Sequence, residues 1–136
     1  MKRELILKGN LMEDIVGFAR AVKVGHYISV GGTAPVNSAG KTVGIDDSAA
    51  QARQCIEIIK DALERAGSGL HDVIRTRVIL TIIDEWKDVI EVRAQYFKNI
   101  KPVDTIMQVT RFVNPEWLAE FEVDAIIFDV SNSHEN

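Results

Sequence analysis

From Ala119 to Val130 the residues alternate in character, with Phe121, Val123, Ala125 and Ile127 on one side and Glu120, Glu122, Asp124, Ile126 and Phe128 on the other. That period of two predicts a strand, because successive side chains of extended backbone point to opposite faces. One face is wholly apolar and must be covered by other elements of the fold. The other begins acidic and ends apolar, so it needs polar surroundings at one end and a cover at the other. Three carboxylates on alternate positions repel when all are ionised, so at least one is expected to be paired, raised in pKa or open to water. Any chemistry the chain performs is expected to involve this strand.

The preceding segments supply candidates for the cover. Glu4-Leu-Ile-Leu-Lys8 predicts a short strand, and Arg20–Val24 with Tyr27–Gly31 predicts a hairpin turning at Gly25-His26. Residues 32–47, rich in Gly, Ser, Asn and Pro, read as an excursion. Ser48-Ala-Ala-Gln51 has the spacing of a capping box, and Ala52, Cys55, Ile56, Ile59, Leu63 and Ala66 then recur at helical spacing until Gly67 stops the helix. Its other face carries Arg53/Glu57, Lys60/Glu64 and Asp61/Arg65, i,i+4 pairs worth about 0.2–0.5 kcal/mol each, which solvate a helix and mark no site. Val73–Thr81 predicts a strand with Ile74, Thr76, Val78 and Leu80 on one face and Arg75 and Arg77 on the other. A second helix follows, with Asp84 as its expected cap and Pro102 as its limit; its apolar positions, from Trp86 to Phe97, cover more than one stripe. Thr105–Val113 predicts another strand, joined to the last by a turn at Asn114-Pro115-Glu116.

Strands and two helices in this order predict an α+β domain over residues 1–130, a mixed sheet with both helices on one face, and a frayed tail at 131–136. The other sheet face, bearing Leu, Ile and Phe, calls for a cover that self-association would provide, since burial gains about 25 cal/mol per Å² of apolar area. A chain of 136 residues with 46% hydrophobic side chains is long enough for one such core and too short for two ordinary domains.

The net charge of −4 leaves no basic footprint for a phosphate backbone, so nucleic acid is not an expected partner. The short apolar run at the N-terminus and the lack of any run of spanning length predict no signal peptide and no membrane association. Cys55 is the sole cysteine, which excludes an intramolecular disulfide and makes the cytoplasm the default location. It lies on the buried stripe of the first helix, as an inert thiol would. His26, His71 and His134 have no metal-ligand spacing among themselves or with Cys55, so no metal is expected.

Two local features admit a functional and a structural reading. Glu120, Glu122 and Asp124 could serve as a general acid or base or as ligands for a polar substrate, or could pair with Arg75 or Arg77 on a neighbouring strand. Gly31-Gly32-Thr33 could offer backbone amides to a ligand oxygen, or could mark a bulge or strand end.

Taken in order, Gly17-Phe-Ala-Arg-Ala-Val-Lys-Val-Gly25, Ile28-Ser-Val-Gly-Gly-Thr-Ala-Pro35, Gln51-Ala-Arg-Gln54, Ala66-Gly67, Asp72-Val-Ile-Arg-Thr76, Tyr96-Phe97, Pro102-Val-Asp-Thr105 and Phe121-Glu-Val-Asp-Ala125 resemble the RidA/YjgF family, also called the L-PSP endoribonuclease family. The resemblance implies a chorismate-mutase-like subunit, a homotrimer with ligand clefts between subunits, and hydrolysis of reactive enamines and imines to release ammonia without a cofactor. It carries Glu122 over as the residue that positions the attacking water, and Gly31 and Gly32 as the backbone turn of the ligand site. It also exposes departures. The family's Pro-Ala-Arg-Ser motif, whose arginine clamps a substrate carboxylate, reads Pro102-Val-Asp104-Thr105 here; Phe18 stands at the family's tyrosine and Ile90 at its asparagine.

A charged hydrogen bond of that kind is worth about 1.5–3 kcal/mol, whereas two like charges 4 Å apart repel by about 4 kcal/mol at an effective dielectric of 20. Unless Asp104 is protonated or paired, a 2-imino acid is therefore expected to be a poor ligand, and a neutral or cationic compound a better one. The expected ligand site comprises Glu122 as catalytic residue, with Phe18, Gly31, Gly32, Asp104 and Thr105 binding a small polar metabolite. A non-catalytic binding or regulatory module is the alternative.

Overall fold

The computed structural model describes residues 1–128, and in it the strand with unlike faces lies inside a six-stranded sheet. The strands are β1 (Arg3–Ile6), β2 (Ala21–Val24), β3 (Tyr27–Thr33), β4 (Val73–Leu80), β5 (Val103–Gln108) and β6 (Ala119–Ile126), in the spatial order β1-β2-β3-β6-β4-β5. Every pairing is antiparallel except β4 with β5. That parallel pair needs a crossover, which α2 (Trp86–Phe97) supplies; α1 (Ser48–Arg65) connects β3 to β4. Both helices cover one face, where Phe121, Val123, Val78 and Ile28 are buried with Ile56, Ile59 and Leu63 of α1 and Val89 and Phe97 of α2. The mixed α+β sheet expected from the sequence is the one observed.

Helix α1 stops as its sequence predicts. Gly67 takes the left-handed conformation at φ 82°, its N–H donates to the Glu64 carbonyl, and the Ser68 N–H reaches the Leu63 carbonyl at 2.9 Å. Its start differs from expectation. Asp47, not Ser48, is the cap, its Oδ1 accepting from the Ala50 N–H at 3.0 Å. Ser48 already belongs to the helix and donates to Glu85, while Gln51 turns inward instead of reaching back to close a capping box. Asp47→Ala is expected to cost about 1 kcal/mol in urea unfolding, the usual effect of losing such a cap; an unchanged midpoint would remove that role.

Other boundaries moved for identifiable reasons. In β4 the register against β6 shifts between Val73 and Arg75, so Val73 is buried and Ile74, expected on the apolar face, is exposed. Asp84 caps nothing: it lies in a short 3₁₀ turn, Ile83–Glu85, and α2 begins behind it with no side-chain cap. Strand β5 starts two residues before Thr105 and ends at Gln108, because that is the stretch that pairs with β4. β6 ends at Ile126; the expected continuation to Val130 and the tail at 131–136 lie outside the described residues, apart from Ile127 and Phe128.

Candidate functional site

The site begins at the N-terminal turn. Glu13 is buried and its carboxylate accepts the N–H groups of Lys8, Gly9 and Asn10, each at 2.9 Å. The Lys8 amide, foremost among these bonds, holds the carboxyl below the usual range, with the Asn10 and Gly9 amides and the Arg20 charge adding to it against the opposing effect of burial. This fastens the single π-helical turn Glu13–Gly17, after which Phe18 takes extended backbone and stands half-exposed. Two residues on, the Arg20 guanidinium donates to the Gly32 carbonyl at 2.8 Å and the Thr33 hydroxyl at 3.0 Å. The N-terminal turn is thereby tied to the end of β3.

That end of β3 is a bulge. Val30 pairs with Val123 and Thr33 with Phe121, so β3 holds one residue more than β6 over this stretch, and Gly31 and Gly32 are exposed there. A Cβ on Gly32 would lie 3.0 Å from Glu120 Oε1 and 3.9 Å from Glu122 Oε2, so a side chain there would press on the Glu120 carboxylate. Around this point opens a cleft of about 590 Å³, lined by Phe18, Arg20, Gly32 and Glu120 and closed on one side by the outer face of α1, a volume ordinary for a small-molecule site.

The three acids of β6 have different fates. Arg77 on β4 approaches both Glu122 and Asp124, each at 3.6 Å, and the Ser29 hydroxyl donates to Asp124 at 3.0 Å. Glu120 has no ion pair or hydrogen-bond partner among the described residues. Burial pushes its carboxyl up, the Glu122 charge adds to that, and Arg20 opposes it. Cross-strand pairing, the structural reading, therefore accounts for Glu122 and Asp124 and leaves Glu120 without a partner.

Asp104 and Thr105 lie elsewhere. They belong to β5, three strands from β3, roughly 14 Å at the usual strand spacing. Thr105 aligns with Arg77 on the uncovered face, whereas Asp104 aligns with Thr76, which is fully buried on the helix side. There the Thr76 hydroxyl donates to Asp104, and Arg93 of α2 comes within 3.4 Å of the same carboxylate while its guanidinium stacks 5.2 Å from the Phe97 ring centre. Asp104 and Glu122 thus do not share a cleft within one chain; the expected ligand site lies between subunits. Asp104 is paired, so it is not a free negative charge. Phe18 and Gly32 do share the cleft and Gly31 adjoins Gly32 in the chain; Glu122 does not line it, though its Oε2 lies 3.9 Å from the position a Cβ on Gly32 would take.

Arg20 and Glu13 were not picked out by sequence reasoning. A usable signal existed in Arg20, a cation at the entrance to the hairpin strand, and in Asn10-Leu-Met-Glu13, which has the spacing for bonds back to its own turn. Cys55 is buried in the core with burial pushing its thiol well up, as expected of an inert cysteine. Among the described residues no group of His, Cys, Asp and Glu is arranged to hold a metal, and no helix is long and apolar enough to cross a membrane.

The sequence profile of the family described as endoribonuclease L-PSP matches residues 9–127, and the chain belongs to that family, also known as RidA/YjgF. A RutC family protein of Pyrococcus abyssi is 32% identical over 82% of this chain and 87% of its own length. The 3-aminoacrylate deaminase RutC of Acinetobacter baylyi is 30% identical over 88% of this chain and 94% of its own. Among solved structures, a member of the YjgF/YER057c/UK114 family from Mycobacterium tuberculosis superposes with a TM-score of 0.84 at 39% identity, covering 93% of this chain and all of that one.

Proposed function

We propose that this chain works in the cytoplasm as a homotrimer whose copies cover one another's open sheet faces, and that a small polar metabolite bound beside the Gly31–Gly32 bulge is hydrolysed at a C=N bond with release of ammonia. The observation that carries this reading is the composition of the open face. A charged strip of Arg77, Glu122 and Asp124 runs across it beside a glycine bulge, and Tyr27, Ile126 and Val103 stand exposed around the strip. Apolar groups in that position gain by burial, and the polar strip then faces a boundary between copies. Thr105 of one copy, too distant from Gly32 in its own chain, would meet a ligand only at such a boundary. The similarity to a relative named as an aminoacrylate deaminase supports nitrogen release as the chemistry.

In this reading Glu122 orients the attacking water, and the Gly31 and Gly32 backbone with Thr105 holds a polar group of the ligand. Asp104, paired with Arg93, supplies neither a clamp for a carboxylate nor a repulsion against one. This makes the protein a different instrument from a standard 2-imino acid deaminase. A second reading, a non-catalytic binding module, is favoured by the Arg77 ion pair, which occupies the carboxylate that would hold the water.

Ammonia release from neutral and carboxylated imines, measured for the wild type and Glu122→Ala beside the solution mass, separates the two. Turnover by a trimer that falls at least tenfold in Glu122→Ala is the expected result. A trimer that binds metabolites and turns over no imine of either kind would leave the binding module, and a monomer would remove the assembly.

A further inference from the structure

Gly32 is flanked by two carboxylates that are not in equivalent surroundings. Glu122 is held by Arg77 at 3.6 Å and lies 3.9 Å from the position a Cβ on Gly32 would take. Glu120 comes to 3.0 Å of that position, lines the cleft together with Arg20 and Phe18, is half-buried, and has no partner among the described residues. Arg20 acts on it only through its charge: its terminal nitrogens donate to the Gly32 carbonyl and the Thr33 hydroxyl, and it makes no hydrogen bond or ion pair with Glu120. Beside the bulge the cleft therefore presents a half-buried carboxyl group with no partner among the described residues, and that group is not the one suggested by the family resemblance; Asp61 lines the cleft unpaired as well, but stands exposed on α1.

We propose that Glu120, and not Glu122, is the group that meets the nitrogen of the ligand in this cleft. The inference rests on the reading of the site as one for C=N compounds, and it divides the labour of two acids: Glu122 stays with the water and Glu120 takes the nitrogen. The step balances without an added reagent. Oxygen of water bonds to the carbon of the protonated imine, whose N–H the Glu120 carboxylate accepts, and the C=N π pair moves onto nitrogen. Glu120 takes the proton shed by the added water and passes it to the amine nitrogen. The C–N bond then breaks as the carbonyl forms, and the hydroxyl proton goes to the departing ammonia, yielding a carbonyl compound and ammonium. Burial, which pushes the Glu120 carboxyl up, suits a carboxylate that takes up and returns a proton.

Benzamidine, a stable compound with an amidinium in place of the reactive C=N group, tests the assignment without turnover. Calorimetric binding to the intact protein at neutral pH is expected to weaken about tenfold in Glu120→Gln, the loss of one charged hydrogen bond. Glu122→Gln is expected to weaken it less, and Glu91→Gln, on the exposed side of α2, to leave it unchanged. Gly32→Ala is a second route to the same answer. The backbone there is not left-handed, so alanine fits the chain, but its methyl must displace the Glu120 carboxylate and should weaken benzamidine several-fold. Binding that is indifferent to Glu120→Gln, or more sensitive to Glu122→Gln, overturns the assignment. Imine turnover is scored separately: its absence in the wild type defeats the hydrolytic reading, while its survival at full rate in Glu120→Gln defeats the proton-transfer role.

Discussion

Asp104→Arg, which introduces the arginine that the family resemblance implies for this position, is expected to destabilise the protein and to bring no gain in turnover of carboxylated imines. The new guanidinium would enter the helix side of β5, where Arg93 lies 3.4 Å from the present carboxylate and donates to the Thr76 hydroxyl. Two like charges at 4 Å repel by about 4 kcal/mol at an effective dielectric of 20, and partial exposure of both side chains reduces that to about 2 kcal/mol. The lost bond from Thr76 adds to it. The double variant Asp104→Arg/Arg93→Asp reverses both charges and should recover at least half of the loss in chemical denaturation. A single variant as stable as the wild type, with improved turnover, would mean that position 104 faces the ligand after all.

Gln51→Ala should be at least as damaging, although the residue does not line the cleft. Gln51 is fully buried in α1; its amide nitrogen donates to the carbonyls of Gly44 at 3.1 Å and Glu116 at 2.9 Å, and its Oε1 accepts from the Leu118 N–H at 2.7 Å. Truncation leaves three backbone groups without partners, each worth about 1–3 kcal/mol when water cannot replace the bond, so a loss of about 3 kcal/mol is expected in urea unfolding. Amide exchange at Leu118 should rise with it. Thermodynamic neutrality, with Leu118 still protected, would show that the two loops hold themselves without α1.

Parts of this fold are legible in the sequence because burial dictates them over many residues. The alternation of β6 and the stripe of α1 leave no other way to hide Phe121, Val123, Ile56 and Ile59. The details that failed are those decided by a single competing partner. Asp47 and Ser48 are both good cap residues one position apart, and only the path of the preceding loop chooses between them. Ile74 fits the apolar face by counting, and one irregular pairing with β6 turns it outward.

The site was harder to read for the same reason. Val103-Asp-Thr-Ile-Met-Gln108 has no clear alternation, so the face on which Asp104 stands depends on its register with β4, set by the crossover through α2 and invisible locally. Glu120, Glu122 and Asp124 look alike as a pattern, and the reach of one arginine, Arg77, makes them unlike.

Asp104 and Glu122 stand back to back, with a layer of hydrogen-bonded backbone between them. A change at one leaves the contacts of the other untouched, so exchanging the charges of Asp104 and Arg93 together would leave the carboxylates beside Gly32 as they are. A difference at position 104 is thus a difference on the helix side of the sheet, and its consequences are to be sought in stability before they are sought at the bulge.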